Sequence, residues 1–262
     1  MNNCIFSDRE RLDEVNERLK LIQMRDGLTF GTDAYLLAAY MCEMRVKSAV
    51  ELGGGTGIIS LLTAVHDRAE HITCVEIQND FCDLIRRNAE LNSLQNTVSS
   101  LCADVRDITP STLGFEAEAV FSNPPYMKAD SGKRNESDAK YIARHEVFGG
   151  IYDFCQAADR LLKYGGKFFC VWRPDRLADL MDAMRQNHLE PKRMTFVHAD
   201  ADTAPSSVLV EAKKGAAPSL ILTPPLILHC APTDGKNARK LSEDAANIYQ
   251  NCSFSNFFKK KG

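Results

Sequence analysis

The segment that most limits what this chain can become is Ala49-Val50-Glu51-Leu52 followed by Gly53-Gly54-Gly55-Thr56-Gly57 and then the apolar run Ile58 to Val65. A short buried strand, a loop of glycines and an amphipathic-to-apolar helix in immediate succession is the opening of a βαβ unit. Four glycines within five residues let the backbone turn sharply and approach a ligand closely, which a Cβ would block. The rhythm then repeats. A second strand is expected at Ile72-Thr73-Cys74-Val75-Glu76-Ile77, a helix from Asp80 to Leu91, a third strand from Val98 to Cys102, and a fourth at Ala119-Val120-Phe121-Ser122. Helix 151–163, strand Lys167 to Trp172, helix 175–187 and two β segments, Arg193–His198 and Ser207–Lys213, complete the series. Alternating strands and helices predict an α/β fold with a doubly wound, mostly parallel sheet. Two late strands with no long helix between them predict an antiparallel pair at one edge.

The flanks are less regular. Residues 5–26 alternate charge with Leu12, Val15, Leu19, Leu21 and Ile22, a pattern that suits a short polar hairpin or a helix. The run Asp33 to Met41 reads as a helix across the sheet rim, capped by Thr32 or Asp33. Residues 216–262, with Pro218, Pro224, Pro225 and Pro232 and the ending Lys259-Lys260-Lys261, read as an extended tail. The expected organisation is an extension over 1–30 packed on the domain, the domain itself over 31–215, and a partly flexible C-terminal extension over 216–262.

Bulk composition narrows the classes. At 262 residues, 44% hydrophobic and 26% charged, the chain suits one globular α/β unit rather than a disordered or fibrous protein. Its net charge of −3 advertises no polyanion partner, so any nucleic-acid contact rests on a local patch. Nine scattered cysteines without a C-x-x-C pair read as free thiols rather than a metal site or a disulfide framework. No signal-peptide run and no stretch of the ~20 apolar residues a bilayer span needs is visible, so a cytoplasmic protein is expected.

In an open α/β sheet, ligands sit beyond the carboxyl ends of the strands. Glu51, Glu76, Asp104 and Asn123 are the polar residues predicted there. Glu76, at the end of the second strand, is placed for both hydroxyls of a ribose, and Asp104, after the third, for an adenine amino group. From Gly53 or Gly55 the third glycine of a G-x-G-x-x-G pattern falls on Ile58 or Ser60, which disfavours a dinucleotide site. The loop also lacks the Lys-Ser/Thr of a P-loop. The decisive element is Asn123-Pro124-Pro125-Tyr126. An exocyclic amine is a poor nucleophile because its lone pair is delocalised. The Asn123 side-chain oxygen and the Pro124 carbonyl are suited to accept its two hydrogens and aim the lone pair at a sulfonium methyl, while Tyr126 offers a flat face for an extruded base.

This series, Glu51 to Gly57, Glu76, Asp104 and Asn123 to Tyr126, resembles the class I S-adenosylmethionine (SAM)-dependent methyltransferases that act on adenine N6 or glutamine N5. More narrowly, Glu10-Arg11-Leu12-Asp13, Ile22-Gln23, Phe30-Gly31-Thr32-Asp33-Ala34 and Ala143-Arg144-His145-Glu146 resemble the bacterial family that methylates N6 of adenine 37 in valine tRNA. The resemblance implies a Rossmann-like domain and SAM as cofactor at Gly53, Gly55, Gly57, Glu51, Glu76 and Asp104, with the target amine at Asn123. It also implies a pocket-lining role for Thr32 and Asp33. Within the loop Met127 to Glu146, whose charges leave a surplus of one positive, Arg144 and His145 are the candidates for touching RNA. The alternatives are a protein glutamine methyltransferase, a guanine-N2 enzyme of ribosomal RNA, a DNA adenine enzyme, and a non-catalytic SAM- or RNA-binding module.

Overall fold

A computed structural model of the chain describes residues 7–25, 30–125, 150–230 and 240–261. Tyr126, Arg144, His145 and the loop around them lie outside the described residues.

The polar N-terminal segment is a hairpin. Strands β1 (Glu10–Asn16) and β2 (Leu19–Met24) pair antiparallel. Helix α1 (Thr32–Tyr40) leads into β3 (Val46–Leu52), α2 (Ile58–Val65), β4 (Ala69–Glu76), α3 (Asn79–Leu91), β5 (Val98–Cys102), the single turn α4 (Pro110–Leu113) and β6 (Ala117–Ser122). After the undescribed segment come α5 (Ile151–Leu161), β7 (Leu162–Trp172), α6 (Leu177–Gln186), β8 (Leu189–His198) and β9 (Pro205–Lys214). Two short strands, β10 (Ile221–Leu222) and β11 (Leu226–Ile227), and helices α7 (Glu243–Asn251) and α8 (Ser255–Lys261) close the chain.

The main sheet has the order β10-β8-β9-β7-β6-β3-β4-β5. β5, β4, β3, β6 and β7 run parallel, and β9 runs antiparallel to both of its neighbours, β7 and β8. The expected antiparallel pair is therefore β8 and β9. β9 sits between β7 and β8, and β10 and β11 pair parallel with the outer side of β8. Strand order reverses between β3 and β6, the switch point beyond which an open sheet leaves a crevice for ligand.

Strand residues alternate between two apolar layers, as a period of two requires. Ala119, Phe121, Phe169 and Val171 face the layer that holds α1, α2 and α3. Val120, Phe168 and Cys170 face the layer of α5 and α6. Both faces are covered, which is why these strands read as nearly continuous apolar runs.

Two polar seams fix elements that the apolar pattern leaves ambiguous. The hairpin docks along α3, where Glu10 receives Arg87 Nη1 and Nη2 at 2.7 and 2.8 Å. Asn88 exchanges hydrogen bonds with the backbone of Ile22, and Asn92 does so with Lys20, one helical turn on. The second seam is Arg68, 5% exposed, whose guanidinium donates to the carbonyls of Ala38 and Cys252 and so links α1 to the C-terminal helices.

Two expectations need correction. Neither Thr32 nor Asp33 caps α1. Gly31 occupies the cap without a side-chain bond, and the helix begins at Thr32 itself. The C-terminal segment is not an extended tail either. Ser242 caps α7 by accepting from the Ala245 N–H at 3.0 Å, and Phe254 is fully buried, its ring edge-on to Tyr40 at 5.2 Å. The Phe254 N–H also donates to the Ala39 carbonyl at 3.2 Å. The prolines mark the start of this segment as irregular but say nothing of the aromatic cluster beyond it. No helix among the described residues is long and apolar enough to cross a membrane.

Candidate functional site

The site grows from the carboxyl ends of four adjacent parallel strands. In register, Cys102 of β5 lies opposite Glu76 of β4, Val75 of β4 opposite Leu52 of β3, and Leu52 opposite Ser122 of β6. The residues that follow these ends, Asp104, the Glu76 loop, the glycines and Asn123, therefore hang in one row along the crevice.

The glycine loop is fastened to β4. The N–H groups of Gly53 and Gly54 donate to the Val75 carbonyl at 2.9 and 3.1 Å, and Gly57 N–H closes a turn onto Gly54 at 2.8 Å. Gly53, Gly55 and Gly57 have φ of 73, 53 and 80°, a left-handed backbone that glycine adopts without strain. Gly54 is needed for another reason: a Cβ there would stand 2.0 Å from Cys74 Sγ. The middle glycine of the run is thus required by packing, which the sequence pattern alone does not reveal. At Gly55 a Cβ would meet nothing within 4 Å, so that side of the loop is open. Asn88 Nδ2 donates to Thr56 O at 3.0 Å and steadies the loop from α3, a role the sequence reading missed.

Glu51 lies under this loop rather than in the crevice. It is 1% exposed, and its Oε2 accepts from the Ser60 N–H at 3.0 Å, from the Ser60 hydroxyl and from Cys74 Sγ at 3.4 Å. Burial pushes its pKa up to about 7, against these hydrogen bonds. Its geometry is that of a brace joining β3 to the first turn of α2.

Glu76 is 6% exposed and faces the loop. Its Oε2 accepts from Gly55 N–H and its Oε1 from Gln78 N–H, both at 2.9 Å. Each oxygen retains a lone pair, so the carboxylate is pre-aimed and can still accept from two hydroxyls. Asp104 is gripped by Arg106, whose Nε lies 3.0 and 3.1 Å from the two oxygens and whose backbone N–H is 2.9 Å from Oδ1. That guanidinium holds the carboxyl below the usual range and keeps it an acceptor.

Asn123 follows Ser122, whose hydroxyl donates to the Leu52 carbonyl at 2.7 Å. This bond ties the end of β6 to the residue before Gly53, so Asn123 is anchored beside the glycine loop. Pro124 is buried and Pro125 exposed. Tyr126, Arg144 and His145 lie outside the described residues. Burial raises the pKa of Asp33. Thr32 lines a cleft of about 310 Å³ with Val15, Asn16, Phe30, Gly31, Tyr35 and Tyr249, a cleft that Gly53, Gly55, Gly57, Glu76 and Asp104 do not line.

These residues fit SAM: an open glycine face, a carboxylate with acceptors to spare beside it, and an acid held as an acceptor just beyond the end of the next strand. Comparison with known proteins agrees. Residues 43–128 match the family described as the TRM5/TYW2 methyltransferase domain. The tRNA1(Val) (adenine(37)-N6)-methyltransferase of Phocaeicola vulgatus is 29% identical over 193 residues, 72% of this chain and 78% of the relative. The Parabacteroides distasonis protein of the same name is 26% identical, over 69% of this chain and 75% of its own length. Among solved structures, a predicted O-methyltransferase from Agrobacterium tumefaciens superposes with a TM-score of 0.67 at 23% identity, covering 85% of this chain and 97% of that one. The 16S rRNA N2 G1207 methyltransferase of T. thermophilus, solved with AdoMet and guanosine, gives 0.55 at 16% identity over 79% of this chain and 50% of that one. Strand order and relatives converge on a SAM-dependent methyltransferase with the class I fold, similar to the bacterial tRNA1(Val) (adenine(37)-N6)-methyltransferases.

Proposed function

We propose that this enzyme transfers the methyl group of SAM to N6 of an adenine in tRNA, with adenine 37 of valine tRNA as the acceptor that its relatives' shared name suggests. The observation that carries the reading is the position of Asn123, fastened through Ser122 and Leu52 to the end of the cofactor loop. In this reading Glu76 accepts from the ribose hydroxyls, Asp104 from the adenine amino group of the cofactor, and the backbone of Gly53, Gly55 and Gly57 makes room for the methionine part. Thr32 and Asp33 are assigned to the border of the pocket by the resemblance alone. Glu51 contributes by bracing the loop.

Asn123 and the Pro124 carbonyl accept the two hydrogens of the target amine. Holding both hydrogens in fixed positions draws the nitrogen towards tetrahedral geometry and directs its lone pair at the methyl carbon, so catalysis is chiefly positioning. The new N–C bond forms as the S–C bond breaks, and the extra amine proton leaves to solvent. Tyr126 stacks on the extruded base, and Arg144 and His145 contact the RNA backbone or base.

The test incubates the purified protein with methyl-labelled SAM and unmodified total tRNA and analyses the digested nucleosides. Labelled N6-methyladenosine is expected, with turnover reduced about 100-fold or more in Asn123→Ala while SAM affinity is unchanged. Label in no nucleoside, with SAM still bound, refutes the tRNA assignment and directs the search to ribosomal RNA and protein glutamine.

A further inference from the structure

Two cysteines outside the proposed chemistry meet at the carboxylate loop. Cys82 lies in the first turn of α3, and Cys102 is the last residue of β5, opposite Glu76 in register. They approach the residues joining β4 to α3 from two sides. Cys82 Sγ donates to the Glu76 carbonyl at 3.3 Å. Cys102 Sγ donates to Asn79 Oδ1 at 2.9 Å and lies 3.8 Å from the Ile77 carbonyl. Both sulfurs therefore lie against the four residues Glu76 to Asn79. Both are reduced; Cys102 is exposed and Cys82 is 9% exposed. An accessible sulfur and a sheltered sulfur held on the same short segment are the arrangement of a peroxide-sensitive thiol beside its resolving partner.

We propose that Cys82 and Cys102 form a reversible redox pair whose disulfide displaces Glu76 and lowers the affinity of the enzyme for SAM. The oxidant is a peroxide. Cys102 thiol and hydrogen peroxide give Cys102 sulfenic acid and one water, the sulfur losing two electrons to the peroxide O–O bond. The Cys82 sulfur then attacks the Cys102 sulfur, the S–O bond breaks, and the departing hydroxide takes the Cys82 proton as a second water.

Closing the bond changes geometry at the site. A disulfide places its sulfurs about 2.05 Å apart, well inside the van der Waals separation of two unbonded sulfurs. The end of β5 and the first turn of α3 are drawn together across the segment that carries Glu76, and Asp104 lies two residues past Cys102. Both proposed cofactor acids therefore flank the linkage. The effect on SAM rests on the assignment of Glu76 to the ribose, whereas formation of the disulfide does not.

The experiment treats the full-length protein with excess hydrogen peroxide, blocks remaining thiols, and maps peptides without reduction, with SAM affinity measured calorimetrically before and after. The expected result is a cross-linked peptide joining Cys82 to Cys102, a fall in SAM affinity of about fivefold or more, and recovery of both on adding dithiothreitol. Cys102→Ser, a small change at an exposed position, should abolish the cross-link and make SAM affinity insensitive to peroxide; Cys82→Ser should do the same. Oxidation of Cys102 without any link to Cys82 overturns the pair. A link that leaves SAM affinity unchanged overturns its control of binding if Glu76→Ala weakens SAM in the reduced protein. If Glu76→Ala is also without effect, the ribose assignment is what has failed.

Discussion

The backbone N–H of Gly55 donates to Oε2 of Glu76 at 2.9 Å, joining the open face of the glycine loop to the carboxylate at the end of the next strand. One hydrogen bond thus sets the distance between the glycine loop and the carboxylate, the two parts of the crevice proposed to hold the cofactor.

Glu76→Ala is expected to weaken SAM binding about 10- to 100-fold, the worth of a charge-assisted hydrogen bond of roughly 1.5–3 kcal/mol. Glu76→Gln, which keeps one acceptor, should fall between. Calorimetric titration decides it, and a change under about threefold for Glu76→Ala would remove the ribose role.

Glu51 should make stability depend on pH in an unusual direction. Its folded pKa of about 7 lies above the ordinary 4.5, so the folded state binds the proton more tightly. The stability this contributes is complete below about pH 4.5 and is lost as pH rises through about 7. The difference corresponds to about 3 kcal/mol for a carboxyl this deeply buried. Glu51→Gln imitates the neutral acid and lacks the titration. Urea denaturation at pH 5 and pH 8 should show the variant gaining on the native chain by up to about 3 kcal/mol at the higher pH; parallel curves would disprove it.

Gly54→Ala should destabilise the protein by roughly 1–3 kcal/mol, because its Cβ would lie 2.0 Å from Cys74 Sγ. The backbone there is not left-handed, so the cost is steric alone. Removing the sulfur should recover much of it. In a cycle of Gly54→Ala, Cys74→Ala and the double variant, a coupling of about 1 kcal/mol or more is expected, and strict additivity would contradict the packing argument.

Phe254→Ala should cost about 3–5 kcal/mol, as expected for a large aromatic removed from a close-packed cluster. Phe254 contacts Tyr40, Phe257 and Phe258 with ring centroids 5.2, 5.5 and 5.6 Å away. Loss of less than about 0.5 kcal/mol in chemical denaturation would mean that this residue behaves as surface.

The elements at the centre of the fold were legible because their signals are local. Helix α2 spans Ile58–Val65 as the apolar run after the last glycine requires, and β5 spans Val98–Cys102 as expected. Glu76, Asp104 and Asn123 fall at or just beyond strand ends, where the apolar runs of the sequence end. The hairpin of residues 10–24 was ambiguous from its sequence, since its pairing is resolved by Arg87, Asn88 and Asn92 on a helix far along the chain.

By itself the sequence determined the α/β alternation, the glycine loop and the series of polar strand ends, because each depends on residues within one or two turns of one another. Only the tertiary structure decided that Glu51 braces the loop from beneath, that Gly54 must yield to Cys74, and that Phe254 completes the core. It likewise decided that Cys82 and Cys102 share one loop. These are relations between side chains distant in the chain, and they exist only once sheet register and helix packing bring those side chains within van der Waals or hydrogen-bonding range.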